Sequence, residues 1–279
     1  MRILIKKHKL LLSLILVLVI WLAATGYVSA TPSAGFRETN SDLFDDWGIS
    51  RTRASGEDGF YQISETGFRP VIAFESLGEE ANLAYSLGEQ FAQKYPDQRQ
   101  RAEKIFYFVR DRVKYTSDKD QFKHDEFAQN ADELATTIEQ DGVAYGDCED
   151  SAILLAVMYQ GAGYRSAIAI GPSHTAALVY LPEYKKASAF VLEGESGWIW
   201  AEATGKNNPL GWVPKDLVNA ELAAYEISAE PITGGKPTIA PLTTVTKAGG
   251  GSSSAPFPFF GIIIFLWLFS SLFRRRRHR

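Results

Sequence analysis

Apolar residues in the first half of the chain recur at helical spacing. They predict a helix over residues 78–94, which Pro96 ends, and a second helix directly after it. Asp97, followed three residues later by a glutamine, has the spacing of a capping box for the second helix. Asn130, followed three residues later by a glutamate, predicts the start of a short third helix. The apolar stripes of the first two helices consist of Leu83, Leu87, Phe91, Ala102, Ile105, Phe106, Val109 and Val113.

A further helix is predicted from Asp147 onward, and its apolar residues cover most of its circumference. Gly161 and Gly163 end it. A helix that is apolar on nearly all sides is a buried helix. Its apolar positions are Ala152, Leu155, Ala156 and Tyr159 on one face and Ile153 and Val157 on another.

After this helix the pattern changes to short, β-prone runs. The runs YRSAIAIG, HTAALVYL, ASAFVLE and GWIWAEAT are separated by proline, glycine and charged residues. The letters EGESG between the last two runs are typical of a hairpin turn. Helices followed by a strand meander indicate the α+β class, with N-terminal helices packed on an antiparallel β-sheet.

Both ends of the chain are apolar segments flanked by basic residues. Residues 1–30 have the basic start, uncharged run and small residues Val28 and Ala30 of a signal peptide; an uncleaved N-terminal anchor is the alternative. Residues 257–273 are uncharged and mostly large and apolar, which predicts a short transmembrane helix. Residues 274–279 then form a basic cytoplasmic tail.

Two polar segments flank the domain predicted over residues 71–230. Residues 31–70 are a polar N-terminal extension that holds several aromatic residues and has no predicted fold. Residues 231–256 are rich in proline, glycine, serine and threonine, which predicts a linker. The Gly-Gly run, apolar span and arginine block resemble C-terminal sorting signals that some bacteria process, so a permanent anchor and a processed tail are both open.

Charge separates the middle of the chain from its ends. Residues 31–255 hold 20 basic and 33 acidic residues, a net charge of −13. This balance argues against nucleic acid as a partner. The basic residues at both ends belong on the cytoplasmic side of a membrane, so we expect the main domain to be extracytoplasmic and tied to the cell membrane, with one span or two.

Cys148 is the only cysteine and lies at the start of the predicted buried helix. It cannot form a disulfide within the chain, which leaves a buried apolar role, an intermolecular disulfide or a reactive thiol. The first turn of a helix favours a thiolate and offers N–H groups to an oxyanion. The acids on either side of Cys148 oppose this, because negative neighbours raise the pKa of a thiol.

A thiol among carboxylates needs a cation, and His174 at the start of a predicted strand is the candidate. Glu202 shares a strand face with Trp198 and Trp200, and a carboxylate on such a face needs a partner. A histidine N–H could be that partner. The bond would also fix the histidine tautomer, so that the other ring nitrogen faces the thiol. The alternatives are an exposed loop histidine and a strand-end acid in water.

These segments resemble the transglutaminase-like superfamily. The resemblance covers residues 80–205 and rests on RAEKIFYFVRDRVKYTSD, GDCEDSAILLAVMYQGAGYRSAIAIG, SHTAALVYL and GWIWAEATG, which follow one another in the family's order. It implies a papain/transglutaminase-like core in which Cys148 is the nucleophile, His174 the general base and acid, and Glu202 the orienting carboxylate.

The motif GDCEDSA is most similar to the bacterial transglutaminase-like cysteine proteinases. That branch implies a cysteine peptidase or amide hydrolase acting on a protein or peptide substrate. A protein-crosslinking transglutaminase and a non-catalytic binding module are the alternatives.

The triad chemistry itself requires no cofactor. In the proteinase branch, acids beside the cysteine are associated with calcium, and Asp147 and Asp150 match those positions. First-turn acids that complement the helix dipole are the alternative interpretation. The chain departs from the family by having Glu202 in place of the usual aspartate and Thr-Ala after the histidine. The second oxyanion donor has no assigned residue, and Tyr145 is a nearby candidate.

Overall fold

The computed structural model describes residues 35–63, 68–77, 83–218, 220–228 and 243–247. The predicted signal peptide or anchor (1–30), transmembrane helix (257–273) and basic tail (274–279) lie outside these residues. Within the described part of the chain, no helix has both the length and the apolar character needed to cross a membrane.

The N-terminal extension forms a five-stranded sheet, for which the sequence offered no fold. Neighbouring strands are antiparallel except β3 and β4, which are parallel. Their three to six residues are too few for a clear alternation of apolar and polar positions. In spatial order the strands are β1 (Arg37–Thr39), β2 (Asp42–Phe44), β3 (Ser50–Ser55), β4 (Gly59–Ile63) and β5 (Phe68–Pro70).

The helical part follows this sheet and contains the helices predicted from the sequence. Residues 78–82 of the first predicted helix lie outside the described residues. Asp97 accepts a hydrogen bond from the Gln100 N–H at 2.8 Å, which is a simple cap and not the full capping box that its spacing predicted. Asn130 caps its helix as predicted, and together with Glu133 it forms a capping box. The elements are α1 (Val71–Phe74), α2 (Leu83–Lys94), α3 (Gln98–Arg112), β6 (Val113–Tyr115), α4 (Asp118–Gln121), α5 (Ala131–Asp141), β7 (Ala144–Gly146) and α6 (Cys148–Gly161).

The helix α6 is the centre of the fold. Its residues from Glu149 to Tyr159 are all buried, which confirms the prediction from its apolar circumference. The helices α2, α3 and α5 pack around it on one side, and the strands that follow it pack on the other.

The second half of the chain forms a closed six-stranded antiparallel barrel. The predicted hairpin turn lies at Glu193 and Gly194, which both have positive φ (53° and 81°). The barrel strands are β8 (Ser166–Gly171), β9 (His174–Tyr180), β10 (Phe190–Leu192), β11 (Glu195–Ala201), β12 (Leu222–Ile227) and β13 (Thr243–Lys247).

The strand β13 closes the barrel by pairing with both β10 and β12. It lies inside residues 231–256, so the segment expected to be a linker contains a strand. Alternation along the barrel strands then separates two cores. Ala177 and Val179 face the helices, whereas Leu178 joins Trp198 and Trp200 in a second cluster.

Candidate active site

The turn between β7 and α6 places Cys148 at the tip of the buried helix. Gly146 is required there, because a Cβ at this position would lie 2.6 Å from Asp150 Oδ2. That carboxylate oxygen accepts the Asp147 N–H at 3.2 Å. Cys148 itself is partly exposed, whereas the residues that follow it are buried.

The Cys148 sulfur has two hydrogen-bond partners. The thiol donates to Glu149 Oε2 at 3.2 Å, and the sulfur accepts the backbone N–H of Thr175. Burial raises the pKa of the thiol well above its ordinary value, and the charges of Glu149 and Asp147 raise it further. The bond from Thr175 acts in the opposite direction. With its pKa raised, the thiol is protonated at neutral pH.

His174 and Glu202 are in direct contact. His174 is the first residue of β9, opposite Gly171 of β8, and Glu202 directly follows β11. His174 Nε2 is hydrogen-bonded to Glu202 Oε2, and the Glu202 side chain is only 2% exposed. The bond through Nε2 leaves Nδ1 as the ring nitrogen available for proton transfer.

A loop that the sequence analysis did not consider holds Glu202. Glu202 Oε1 accepts the Thr204 N–H at 3.0 Å and also the Thr204 hydroxyl. Burial alone would raise the pKa of Glu202, but the bonds from His174 and Thr204 lower it overall, so this group is a carboxylate. Asn208 Nδ2 donates to the Glu202 carbonyl at 2.5 Å and fixes the backbone.

The structure thus brings two of the three predicted residues together and places the third beside them. Thr175, whose N–H reaches the sulfur, is the neighbour of His174 in β9. Cys148, His174 and Glu202 therefore lie around the tip of α6 and the adjoining ends of β9 and β11.

Comparison with known families identifies this part of the chain. Residues 85–217 match the transglutaminase-like superfamily. They form a transglutaminase-like domain. The matched residues include Cys148, His174 and Glu202, whereas the N-terminal sheet precedes them. No curated protein matches the chain significantly.

An acidic cluster lies beside Cys148 in the transglutaminase-like domain. Oxygen atoms of Asp118, Asp147 and Asp150 lie within 4.8 Å of one another, as do those of Asp118, Glu126 and Glu149. Burial, followed by the charge of Asp147, raises the pKa of Asp118 to about 9 and that of Asp150 to about 8. The sequence indicated Asp147 and Asp150. It also allowed a cation site in the segment DKDQFKHDEF, where a solvated loop was the favoured interpretation. Asp118, at the start of α4, and Glu126 of this segment lie in the cluster.

Several carboxylate oxygens of this cluster lack partners. Asp118 Oδ1, Asp147 Oδ1 and Glu149 Oε1 are buried without a hydrogen bond. Asp150 differs, because its two oxygens accept the backbone N–H and the Nε2 of Gln129, both at 2.8 Å. Unpaired buried oxygens of this kind are the ligands that calcium prefers, so the donor set fits such a cation.

Tyr61 is a site residue that the sequence analysis missed. It lies on β4 of the N-terminal sheet, is 1% exposed, and donates from its hydroxyl to Thr175 Oγ1 at 3.4 Å. No local motif marks it, since 114 residues separate it from Thr175.

Proposed function

We propose that the transglutaminase-like domain is a thiol acyl-transfer enzyme and acts as a cysteine peptidase or amide hydrolase. Cys148 is the nucleophile, His174 the general base and acid, and Glu202 the carboxylate that orients the imidazole. The observation that carries this proposal is the His174–Glu202 bond. It lies beside the nucleophile, because Thr175, the residue after His174, contacts the Cys148 sulfur.

The reaction follows from these positions. His174 Nδ1 takes the thiol proton, and the sulfur attacks the amide carbon of the substrate. The carbonyl oxygen receives the displaced electron pair and faces the N–H groups at the start of α6. The C–N bond breaks as His174 returns the proton to the leaving amine, and water then hydrolyses the thioester. If a lysine amine replaces water, the same steps crosslink proteins.

One observation favours the non-catalytic alternative. The thiol donates to Glu149, and its pKa is raised by burial and by its acidic neighbours. A protonated thiol is a poor nucleophile. Catalysis therefore requires something that reduces the negative charge beside Cys148.

We propose that a calcium ion bound at the acidic cluster reduces this negative charge. Asp147 and Asp118 would hold it through their unpaired oxygens, with Glu149, Glu126 and Asp150 on the other sides. When bound, the cation offsets the carboxylate charge and lowers the pKa of the adjacent thiol. Asp150 also keeps the turn in place through its bonds to Gln129.

We further propose that the domain acts outside the cytoplasm on a protein or peptide substrate and is anchored in the cell membrane. The basic residues at both ends of the chain support this placement. Labelling Cys148 in intact cells with a membrane-impermeant maleimide tests it, since a cytoplasmic domain would stay unlabelled.

Alkylation of Cys148 by iodoacetamide at neutral pH tests the catalytic role. We expect the calcium-treated protein to react at least about tenfold faster than free cysteine, because a histidine-paired thiol is partly ionised. His174→Ala should remove this advantage, whereas replacement of His124, a histidine outside the triad in the segment between α4 and α5, by alanine should keep it. A wild-type rate equal to that of free cysteine, unchanged in His174→Ala, would leave only a binding module.

A further inference from the structure

The N-terminal sheet places one buried tyrosine, Tyr61, beside the site. Tyr61 is packed edge-on against Phe60 and Phe68, with ring centroids 4.9 Å and 5.4 Å away. These contacts fix the ring on β4, and the residue is 1% exposed. The ring is therefore held in one direction before any substrate binds.

The Tyr61 hydroxyl reaches the residue of β9 that contacts the Cys148 sulfur. It donates to Thr175 Oγ1, and the N–H of the same threonine donates to the Cys148 sulfur. Thr175 is itself 2% exposed. The phenol and the sulfur thus share one neighbour.

The phenol is a donor that can change partner. Its bond to Thr175 is 3.4 Å long, well beyond the usual ~2.7–2.8 Å for O–H···O bonds, and is therefore weak. Burial and the negative charge of Glu149 raise the pKa of Tyr61, so the hydroxyl keeps its proton. An oxyanion would accept that hydrogen bond more strongly than a threonine hydroxyl does.

We infer that Tyr61 is the second oxyanion donor of the proposed acyl-transfer reaction, beside the N–H groups at the start of α6. This inference rests on the proposed function. When the sulfur bonds to the carbonyl carbon, the carbonyl oxygen takes the π electron pair. The Tyr61 hydroxyl then turns from Thr175 Oγ1 to that oxygen, without transferring its proton. When the leaving group departs, the pair returns to the carbonyl and the hydroxyl returns to Thr175.

Two reactions of the same sulfur separate this role from thiol activation. Acylation by p-nitrophenyl acetate passes through an oxyanion and releases p-nitrophenolate, whereas alkylation by iodoacetamide is a direct displacement with no oxyanion. Both are measured on the full chain with calcium. For Tyr61→Phe, we expect acylation to fall about 10²-fold and alkylation to stay within about twofold of wild type.

The matched control is Tyr159→Phe, which removes an equally buried hydroxyl that donates to the Ala102 carbonyl at 3.1 Å, away from the site. It should leave both rates unchanged, and thermal unfolding of both variants checks that they are folded. Tyr145→Phe tests the other candidate tyrosine and should also leave both rates unchanged.

Each other outcome overturns the inference. If alkylation and acylation fall together in Tyr61→Phe, the hydroxyl acts through the thiol and not on the oxyanion. If neither falls, Tyr61 has no part in the reaction. If the wild-type chain is not acylated at all, the proposed function fails, and the inference fails with it.

Discussion

Cys148 illustrates how neighbouring charges outweigh a favourable position in a helix. A helix N-terminus stabilises a thiolate by about 0.3–2 kcal/mol. A unit charge 4 Å away acts with about 4 kcal/mol at an effective dielectric constant of 20. Glu149 Oε2 lies 3.2 Å from the sulfur, and Asp147 is also adjacent. The effect of the acids is therefore larger than that of the helix, and the pKa of the thiol is raised rather than lowered.

Calcium should reverse this balance. We expect added Ca²⁺ to raise the melting temperature of the wild-type chain by several degrees, since a ligand at 100 times its Kd stabilises by about 2.7 kcal/mol. Asp147→Asn should lose this shift, while its metal-free stability should equal or exceed that of wild type because a buried like charge is gone. Asp141→Asn, on an exposed acid at the end of α5, should keep the shift. An unchanged melting curve for wild type in Ca²⁺ and in chelator would contradict the proposed cation site.

Two glycines determine how closely α2 and α6 cross. A Cβ at Gly88 would overlap the Met158 carbonyl oxygen, and a Cβ at Gly161 would overlap the Tyr85 carbonyl oxygen. The sequence interpretation assigned Gly161 to the end of the helix only. The close crossing matters for the site because α6 carries Cys148 at its other end.

Replacement of Gly88 distinguishes this contact from helix propensity. Propensity alone predicts that Gly88→Ala stabilises α2 by about 1 kcal/mol. The backbone contact predicts the opposite sign, a loss of roughly 1–3 kcal/mol, because the helices must move apart. Urea unfolding measures the difference. Glu89→Ala, at the exposed neighbouring position, should be neutral or slightly stabilising. A stabilised Gly88→Ala variant would show that the crossing tolerates a methyl group.

Across the whole molecule, Arg51 ties the N-terminal sheet to the helices. It is fully buried on β3 and forms ion pairs with Asp45 at 2.6 Å, Glu75 at 2.8 Å and Glu133 at 2.9 Å. Its Nη1 also donates to the Ala128 carbonyl at 3.0 Å. These partners come from the sheet, the residue after α1 and the start of α5, so one guanidinium joins three parts of the fold.

Loss of this guanidinium should destabilise the whole domain. Arg51→Met leaves buried carboxylates without their cation, for which we expect a loss of about 3–5 kcal/mol in the free energy of unfolding. Arg53→Met on the same strand removes half-exposed pairs with Asp42 and Asp58 and should cost less than about 1 kcal/mol. Equal effects of the two substitutions in urea unfolding would mean that the N-terminal sheet is held by other contacts.

The sequence by itself determined the features that depend on near neighbours along the chain. Helical spacing, the caps at Asp97 and Asn130, the buried α6 and the β8–β11 strands are local patterns, because 3.6- and 2-residue periods and capping act over a few residues. The candidate residues Cys148, His174 and Glu202 were also found this way, each from its place in one element.

Only the tertiary structure decided which distant residues meet. Three contacts join segments whose sequences contain no pattern that links them. They are the closure of the barrel by β13, the approach of Asp118 to Asp147, and the bond of Tyr61 to Thr175. Short strands and polar loops are placed by burial and by pairing with the rest of the fold, and these energies exist only once the chain has folded.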